Sequence, residues 1–202
     1  MTVIGRRSPK HKSEILMIIA HLPAGYIVST LLFPRIQHHG VSRLSFMRAG
    51  LFGAVAPDLD MIYFYCFDDR AHPHHSYYSH FPMVWLLLLM LSAFWLHAAK
   101  RKELSVLAMI FTANGLLHMF LDFIASNIYW LAPFVNKPFS LITVSRVYEP
   151  WWLNFILHRA FGVEIAIVIL AIYLWRRDVR RETLSLSLNG CCMLGMSDKT
   201  AS

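Results

Sequence analysis

Two short segments of this chain combine residue types that bind metal ions. His118 and Asp122 are four residues apart in an apolar stretch, so on a helix they share one face and can hold a single divalent ion. Asp58 and Asp60 follow Pro57, and on a regular helix they would point to different sides. We therefore expect one of these two aspartates to bind the metal while the other orients a ligand or a water.

Histidines elsewhere in the sequence can complete such a site. His75 and His80 flank a tetrapeptide, so both imidazoles can enter one cavity if this loop turns back. His21 lies near the start of the first apolar stretch. His72 and His74 are interpreted as surface loop residues. The predicted ligands are His21, Asp58, Asp60, His80, His118 and Asp122.

The composition indicates a membrane protein. Apolar residues make up 56% of the 202 residues, above the roughly 45–50% of soluble domains, and the mean hydropathy is +0.47. An ionisable group at bilayer depth costs about 2.5–3.5 kcal/mol. A chain that keeps several there uses them, and a metal site explains them better than a polar cluster that only specifies helix packing.

The apolar residues form five stretches, each close to the roughly 20 residues that a helix needs to cross a bilayer. We predict an all-α, polytopic membrane bundle of four or five transmembrane helices within residues 1–181, and a polar, disordered cytoplasmic tail over 182–202. Glu164, within the last stretch, could pair with Arg159 or His158. The stretches are 15–33, 46–67, 81–99, 104–124 and 151–175.

The net charge of +7 comes from basic clusters that flank the apolar stretches, which is typical of topology signals and not of nucleic-acid binding. The clusters in 35–48, 99–103 and 176–181 are expected on the cytoplasmic side, together with the C-terminus. The loops 67–80 and 125–150 are then outside, and the site faces the outer leaflet. His38 and His39 are interpreted as solvated or headgroup-facing.

The side of the N-terminus stays open. His21 reaches the outer site if the first helix begins outside, which would leave a basic cluster outside against the positive-inside rule. A first segment that is broken at residues 21–25 and re-enters the membrane would keep the cluster inside. The basic residues of this cluster are Arg6, Arg7, Lys10 and Lys12.

In order and spacing, these elements resemble the YdjM-like family of LexA-regulated, inner-membrane, metal-dependent hydrolases of bacteria. The resemblance covers about residues 20–135. The chain has Ser76-Tyr77 where the family often has Arg-Gly, and Ala125-Ser126-Asn127 where it often has Thr-Pro-x-Gly. The matching elements are His21, Pro57-Asp58-Leu59-Asp60, His75 to His80, His118 to Asp122 and Trp130-Leu131-Ala132-Pro133-Phe134.

More distantly, the chain is similar to the zinc-dependent phospholipases C. This likeness implies one or two zinc ions and hydrolysis of a phosphoester by metal-activated water. We predict catalytic roles for His75, which begins the loop and can face a substrate phosphate, and for Asp58. A site at the outer leaflet favours a lipid or lipid-linked phosphate as substrate. The alternatives are a metal-ion or proton-coupled transporter, which the apolar inner halves of the helices disfavour, and a non-enzymatic membrane protein with a structural metal site.

Overall fold

The computed structural model describes residues 18–68, 74–142 and 152–197, and these residues are almost entirely helical. Within them, the single β-type contact is an antiparallel bridge between Ile128 and Phe139. The all-α prediction is confirmed for this part of the chain. The helices are α1 Ile18–Ile36, α2 Arg43–Val55, α3 Asp60–Cys66, α4 Pro82–Ala98, α5 Glu103–Ala125, α6 Trp152–Ile156 and α7 Arg159–Ser197.

Three sequence predictions fall outside the described residues. They concern the basic N-terminal cluster, His72 and the side chain of His74. The segment 143–151 of the long loop also lies outside them.

The second apolar stretch is not the single helix that we predicted over 46–67. Helix α2 ends at Val55, a 3₁₀ turn covers Ala56–Leu59, and α3 begins at Asp60. Pro57 has no N–H to donate and disfavours an α-helical residue before it, so the helix is interrupted here. The break falls within the Pro-Asp-x-Asp segment and sets the directions of its two aspartates.

The last apolar stretch also differs from the prediction of one helix over 151–175. Helix α6 ends at Ile156, and the backbone N–H of Ala160 donates to Nδ1 of His158 (3.2 Å) at the start of α7. Helix α7 then continues to Ser197, into the segment 182–202 for which we predicted disorder. No proline interrupts α7, and its arginine, leucine and glutamate residues are good helix formers, which outweigh the polar composition.

Helix α1 is continuous from Ile18 to Ile36, so the break predicted as one alternative at residues 21–25 is not observed. Pro23 lies in its second turn, where few intrahelical hydrogen bonds are lost. Nε2 of His21 lies 3.2 Å from Oδ1 of Asp122, near the last turn of α5. Helices α1 and α5 are therefore antiparallel, and the start of α1 lies at the same end of the bundle as the end of α5.

Glycines let three helices approach closely around the site. A Cβ at Gly53 would collide with the backbone of Phe111, so α2 and α5 touch through their main chains. A Cβ at Gly115 would collide with the indole ring of Trp85, which brings α4 against α5. Small residues at helix crossings permit this spacing in membrane bundles.

One described helix, α5, is long and apolar enough to cross a membrane. Helix α4 is apolar but shorter. The break at Pro57 shortens the second stretch, and Arg159, Glu164 and Arg176 interrupt the apolar run of α7. The predicted count of four or five transmembrane helices is thus not established by the helices themselves.

Candidate metal centre

The carboxylate of Asp122 lies at the centre of a cluster of four histidines. Its Oδ2 is 3.1 Å from Nε2 of His118 and 3.5 Å from Nε2 of His75. The same oxygen is 3.8 Å from Nε2 of His80, and Oδ1 is 3.2 Å from Nε2 of His21. The i, i+4 pair that the sequence singled out therefore occupies the middle of the site.

Asp58 is the second carboxylate of the cluster. Its Oδ1 is 3.5 Å from Nε2 of both His80 and His118. A tetrahedral ion with bonds of about 2.0–2.2 Å holds its ligand atoms about 3.3–3.6 Å apart. The separations in the cluster are close to this range, so these nitrogens and oxygens have the spacing of metal ligands.

The donor atoms divide into two groups of three. Within each group the ligand atoms lie within 4.8 Å of one another. One group comes from α1, the 3₁₀ turn Ala56–Leu59 and α5. The other comes from α5 and the loop between α3 and α4, which we call the His-rich loop. The two groups are His21, Asp58 and His118, and His75, His80 and Asp122. Two adjacent sets of three ligands have room for one or two ions.

The closest atoms of the cluster do not hydrogen-bond to each other. Nε2 of His21, Nε2 of His118 and Oδ2 of Asp122 are buried and have no hydrogen-bond partner among the described residues. A buried polar atom without a partner costs about 1–3 kcal/mol. A divalent cation between them would satisfy all three atoms at once, so the residues fit a metal.

Hydrogen bonds behind the cluster fix two of the rings. Nδ1 of His118 donates to the carbonyl oxygen of Ala54 (2.8 Å), and Nδ1 of His80 donates to Oδ2 of Asp60 (2.7 Å). Both bonds leave Nε2 directed at the cluster, as is usual for metal-binding histidines. The hydroxyl of Ser79 also bonds to Asp60.

The two aspartates of the Pro-Asp-x-Asp segment thus have different positions. Asp58 contributes an oxygen to the cluster, whereas Asp60 contacts the outer nitrogen of His80. Asp60 thus lies behind the ring of His80, as expected if one of the two aspartates binds the metal and the other orients a ligand. The 3₁₀ turn separates the directions of the two side chains, and the sequence alone could not show which would face inward.

Access to the cluster differs among its members. The side chains of His80 and His118 are fully buried and that of Asp122 is 3% exposed, whereas His75 is 12% and Asp58 20% exposed. The two residues to which the sequence assigned catalytic roles are therefore on the open side.

Sequence reasoning left one buried carboxylate unexplained. Glu164 is 7% exposed, and its Oε2 has no hydrogen-bond partner among the described residues. The pairing with Arg159 or His158 that we considered is not observed in this part of the chain. A lone carboxylate within an apolar stretch was the available signal, but its neighbours on other helices could not be read from its own segment.

The fold and the cluster define a helical protein with a membrane-length helix and a buried His/Asp cluster that has the spacing of metal ligands. Residues 16–186 match the family model of the YdjM inner membrane protein, which covers most of the chain, and the chain belongs to this family. No curated protein and no solved structure matches it significantly. The match confirms the family resemblance and extends it to α7, and the family's name indicates a membrane location.

Proposed function

We propose that this protein is a membrane-bound, metal-dependent hydrolase that cleaves a phosphoester of a lipid or lipid-linked substrate. The observation that carries the proposal is the Asp122 carboxylate amid four imidazole nitrogens, with buried ligand atoms that make no hydrogen bond to the described residues. Zinc, as one or two ions, suits this nitrogen and oxygen donor set.

We assign different roles in the reaction to the residues of the cluster. A bound ion would supply an activated water and stabilise the charge that develops on a phosphoryl oxygen. His118 and His80 are held by Ala54 and Asp60, so their ligand atoms are preorganised. The more exposed Asp58 is placed to accept a proton from the attacking water, and His75 to contact the substrate phosphate and donate a proton to the leaving group.

A lipid substrate is favoured by exposed apolar side chains on the elements that carry or adjoin the cluster. They lie on the 3₁₀ turn that holds Asp58, on α3 and the residue after it, beside His80, and on the segment after α5. A phosphoester with acyl or isoprenoid chains could place them on this surface while its phosphate enters the cluster. The exposed residues are Leu59, Ile62, Tyr63, Phe67, Tyr78, Leu131 and Phe134.

We also propose that the bundle crosses the membrane several times, with the C-terminus cytoplasmic and the site toward the outer leaflet. Apolar side chains on the outer faces of α4 and α7 support lipid contact beyond α5, among them Leu87, Met90, Phe94, Ile169 and Tyr173. Reporter fusions after residue 202 and within residues 69–73 should report opposite sides. A cytoplasmic report from 69–73 would overturn the outer-leaflet assignment.

Transport of a metal ion or proton is the second candidate. Polar groups do continue from the cluster to Asn114, whose side chain is 3.4 Å from the hydroxyl of Ser29. Beyond these residues, buried apolar side chains of α2, α5 and the turn before α2 form a cluster that packs against α1. They are Val41, Phe46, Val106 and Ile110. This packing favours the hydrolase over the transporter.

The test uses the purified full-length protein in lipid nanodiscs. Bound metal is measured beside phosphate release from lipid phosphomonoesters and phosphodiesters, before and after chelation and zinc addition. Hydrolysis that the chelator abolishes and zinc restores supports the proposal. His75→Ala should lower turnover while keeping most of the metal. Bound metal without hydrolysis of any lipid points to a structural site, and zinc flux into proteoliposomes to transport.

A further inference from the structure

A second candidate site lies at the end of the bundle opposite the metal centre. The turn after α1 and the turn between α4 and α5 form an open cleft of about 370 Å³. The backbone reverses at Gly40, which has a φ of 80°, and this brings the two turns together. The cleft is lined by His38, His39, Lys100, Arg101, Lys102 and Glu103.

The cleft has an excess of positive charge. None of its lysine and arginine side chains makes an ion pair with a carboxylate of the described residues. Its one carboxylate, Glu103, packs toward Gly40, since its Oε1 would be 3.4 Å from a Cβ there. Desolvation and the nearby charges of His38 and Lys102 lower the pKa of His39. The three cations of the cleft therefore outnumber its one carboxylate.

The position of the cleft matches the depth of lipid headgroups. It includes the first residues of α5, the described helix with the length of a membrane span. The end of such a helix lies where the hydrocarbon meets the phosphates. Basic residues at that level attract anionic lipids, and basic pockets between helices bind their headgroups.

We propose that this cleft binds the phosphate-bearing headgroup of an anionic phospholipid. Three cations hold the negative charge, and the two imidazoles offer further hydrogen-bond donors. The proposal is independent of the metal centre and of hydrolysis.

Native mass spectrometry of the full-length protein in detergent, with short-chain phosphatidylglycerol or phosphatidylcholine as the probe, tests the proposal. Phosphatidylglycerol should bind more tightly than phosphatidylcholine. Each of Lys100→Gln, Arg101→Gln and Lys102→Gln should weaken its binding by about fivefold. Arg180→Gln/Arg181→Gln, which removes two exposed charges of α7, is the matched control.

Three results would overturn it: equal binding of the two lipids, an equal loss in the α7 control, or full displacement by millimolar inorganic phosphate, which would indicate a site for free anions. Single substitutions keep most of the topology signal, and an unchanged circular dichroism spectrum shows that each variant is folded.

A second inference concerns Glu164 and rests on the proposed metal centre. Glu164 lines a small cavity, of about 10 Å³, between α1, α5 and α7. That volume suits about one water. Ala20 and Leu121, which precede His21 and Asp122 in the chain, line the same cavity. The buried carboxylate therefore lies beside the segments that supply two ligands of the cluster.

The Nδ1 atoms of the three buried histidines differ in their hydrogen-bond acceptors. Nδ1 of His80 donates to the carboxylate of Asp60, and Nδ1 of His118 donates to the carbonyl oxygen of Ala54. Nδ1 of His21 is buried and has no hydrogen-bond partner among the described residues. Metal-binding histidines almost always donate this second N–H to such an acceptor.

We infer that Glu164 positions the ring of His21 through one water that bridges the carboxylate to Nδ1. Glu164→Ala should then lower the zinc affinity about 10–100-fold, and Glu164→Gln, which keeps an acceptor, should restore part of it. In a His21→Ala background, Glu164→Ala should not lower the zinc affinity further. If Glu164 were only structural, its substitution would lower the affinity in both backgrounds. Glu182→Ala, at an exposed carboxylate of the same helix, is the control.

The measurement is a zinc titration against a competing chelator. A wild type that binds zinc with an affinity unchanged by Glu164→Ala overturns the role of Glu164 alone. Additive effects of the His21 and Glu164 substitutions would also overturn it. A wild type that binds no zinc overturns the metal centre, and this inference with it.

Discussion

The two ends of the bundle use ionisable residues in opposite ways. Helix α5 joins them: Glu103 is at one end and Asp122 at the other, about 30 Å apart along the axis. At the Asp122 end, most histidines and carboxylates are buried, and several of their atoms make no hydrogen bond to the described residues. At the Glu103 end, the charged side chains are mostly exposed, and Arg43 pairs with Asp178 and Glu182.

The comparison distinguishes ionisable residues that bind a ligand from those that only orient the protein in the membrane. An exposed charge at a helix end costs little and can serve as a topology signal. Burial of a group without a partner lowers stability, so it persists where a ligand supplies the missing interaction. The following predictions test whether substitutions at the two ends differ in their effects on zinc affinity, hydrolysis and stability.

The largest effect is expected for Asp122→Ala. Asp122 lies within 3.8 Å of all four histidines, whereas Asp58, the other carboxylate of the cluster, approaches only His80 and His118. The variant should lose more zinc affinity than the roughly 10–100-fold that loss of an outer partner costs, and all hydrolysis with it. Metal content and phosphate release measure both. Asp178→Ala, at the other end, should keep its zinc, and an Asp122 variant with wild-type metal content would contradict the proposed centre.

Close helix packing at the metal end gives the next effect. Gly53→Val would push α2 away from the backbone of Phe111, with an expected loss of about 1–3 kcal/mol of stability and weaker zinc binding, because Asp58 follows α2. Gly162→Ala is the matched control, since no atom lies within 4 Å of a Cβ there. Thermal unfolding with and without zinc measures both, and equal destabilisation by the two substitutions would contradict the packing argument.

Much of this end could be predicted from the sequence, where spacing within one helix decides the result. The i, i+4 relation of His118 and Asp122 fixes them on one face whatever surrounds α5. Which of Asp58 and Asp60 faces the cluster depends on the rotation of the 3₁₀ turn. Pro57 predicts that the helix breaks here, but it does not predict the directions of the two side chains. His21 reaches the site through packing of α1 against α5, and Glu164 lies beside α1 through packing of α7 against α1, neither of which their own segments encode.

The fold was predictable to a similar extent. Apolar stretches of helical length predicted an all-helical protein, but they did not show the separate α6 or the continuation of α7 to Ser197. The polar composition after residue 182 favoured disorder. Yet helix propagation from a stable segment needs only residues that fit a helix, and proline is absent there.

A smaller effect is expected for Asp60→Asn. The substitution keeps the shape and an acceptor for Nδ1 of His80 but removes the charge that orients the ring and raises the basicity of Nε2. Zinc affinity should fall by about 10–100-fold, less than for Asp122→Ala, and activity should return at high zinc. A zinc titration of turnover measures this. Loss of activity that excess zinc does not restore would assign Asp60 a direct role in place of the orienting one.

The smallest effect belongs to the opposite end. Arg43 donates to Asp178 at 2.5 Å and to Glu182 at 2.8 Å, and these bonds join α2 to α7. Its side chain is 40% exposed, so solvent screens the attraction, and Arg43→Ala should cost about 1 kcal/mol or less. Zinc affinity and hydrolysis should stay at wild-type levels, because this exposed ion pair lies at the start of α2, away from the turn that holds Asp58, and shares no ligand with the cluster. A double-mutant cycle with Asp178→Ala, read by thermal unfolding, isolates the pair energy. A clear loss of zinc affinity in Arg43→Ala would show instead that the two ends are coupled, with the packing of α7 against α1 and α2 carrying the effect to His21.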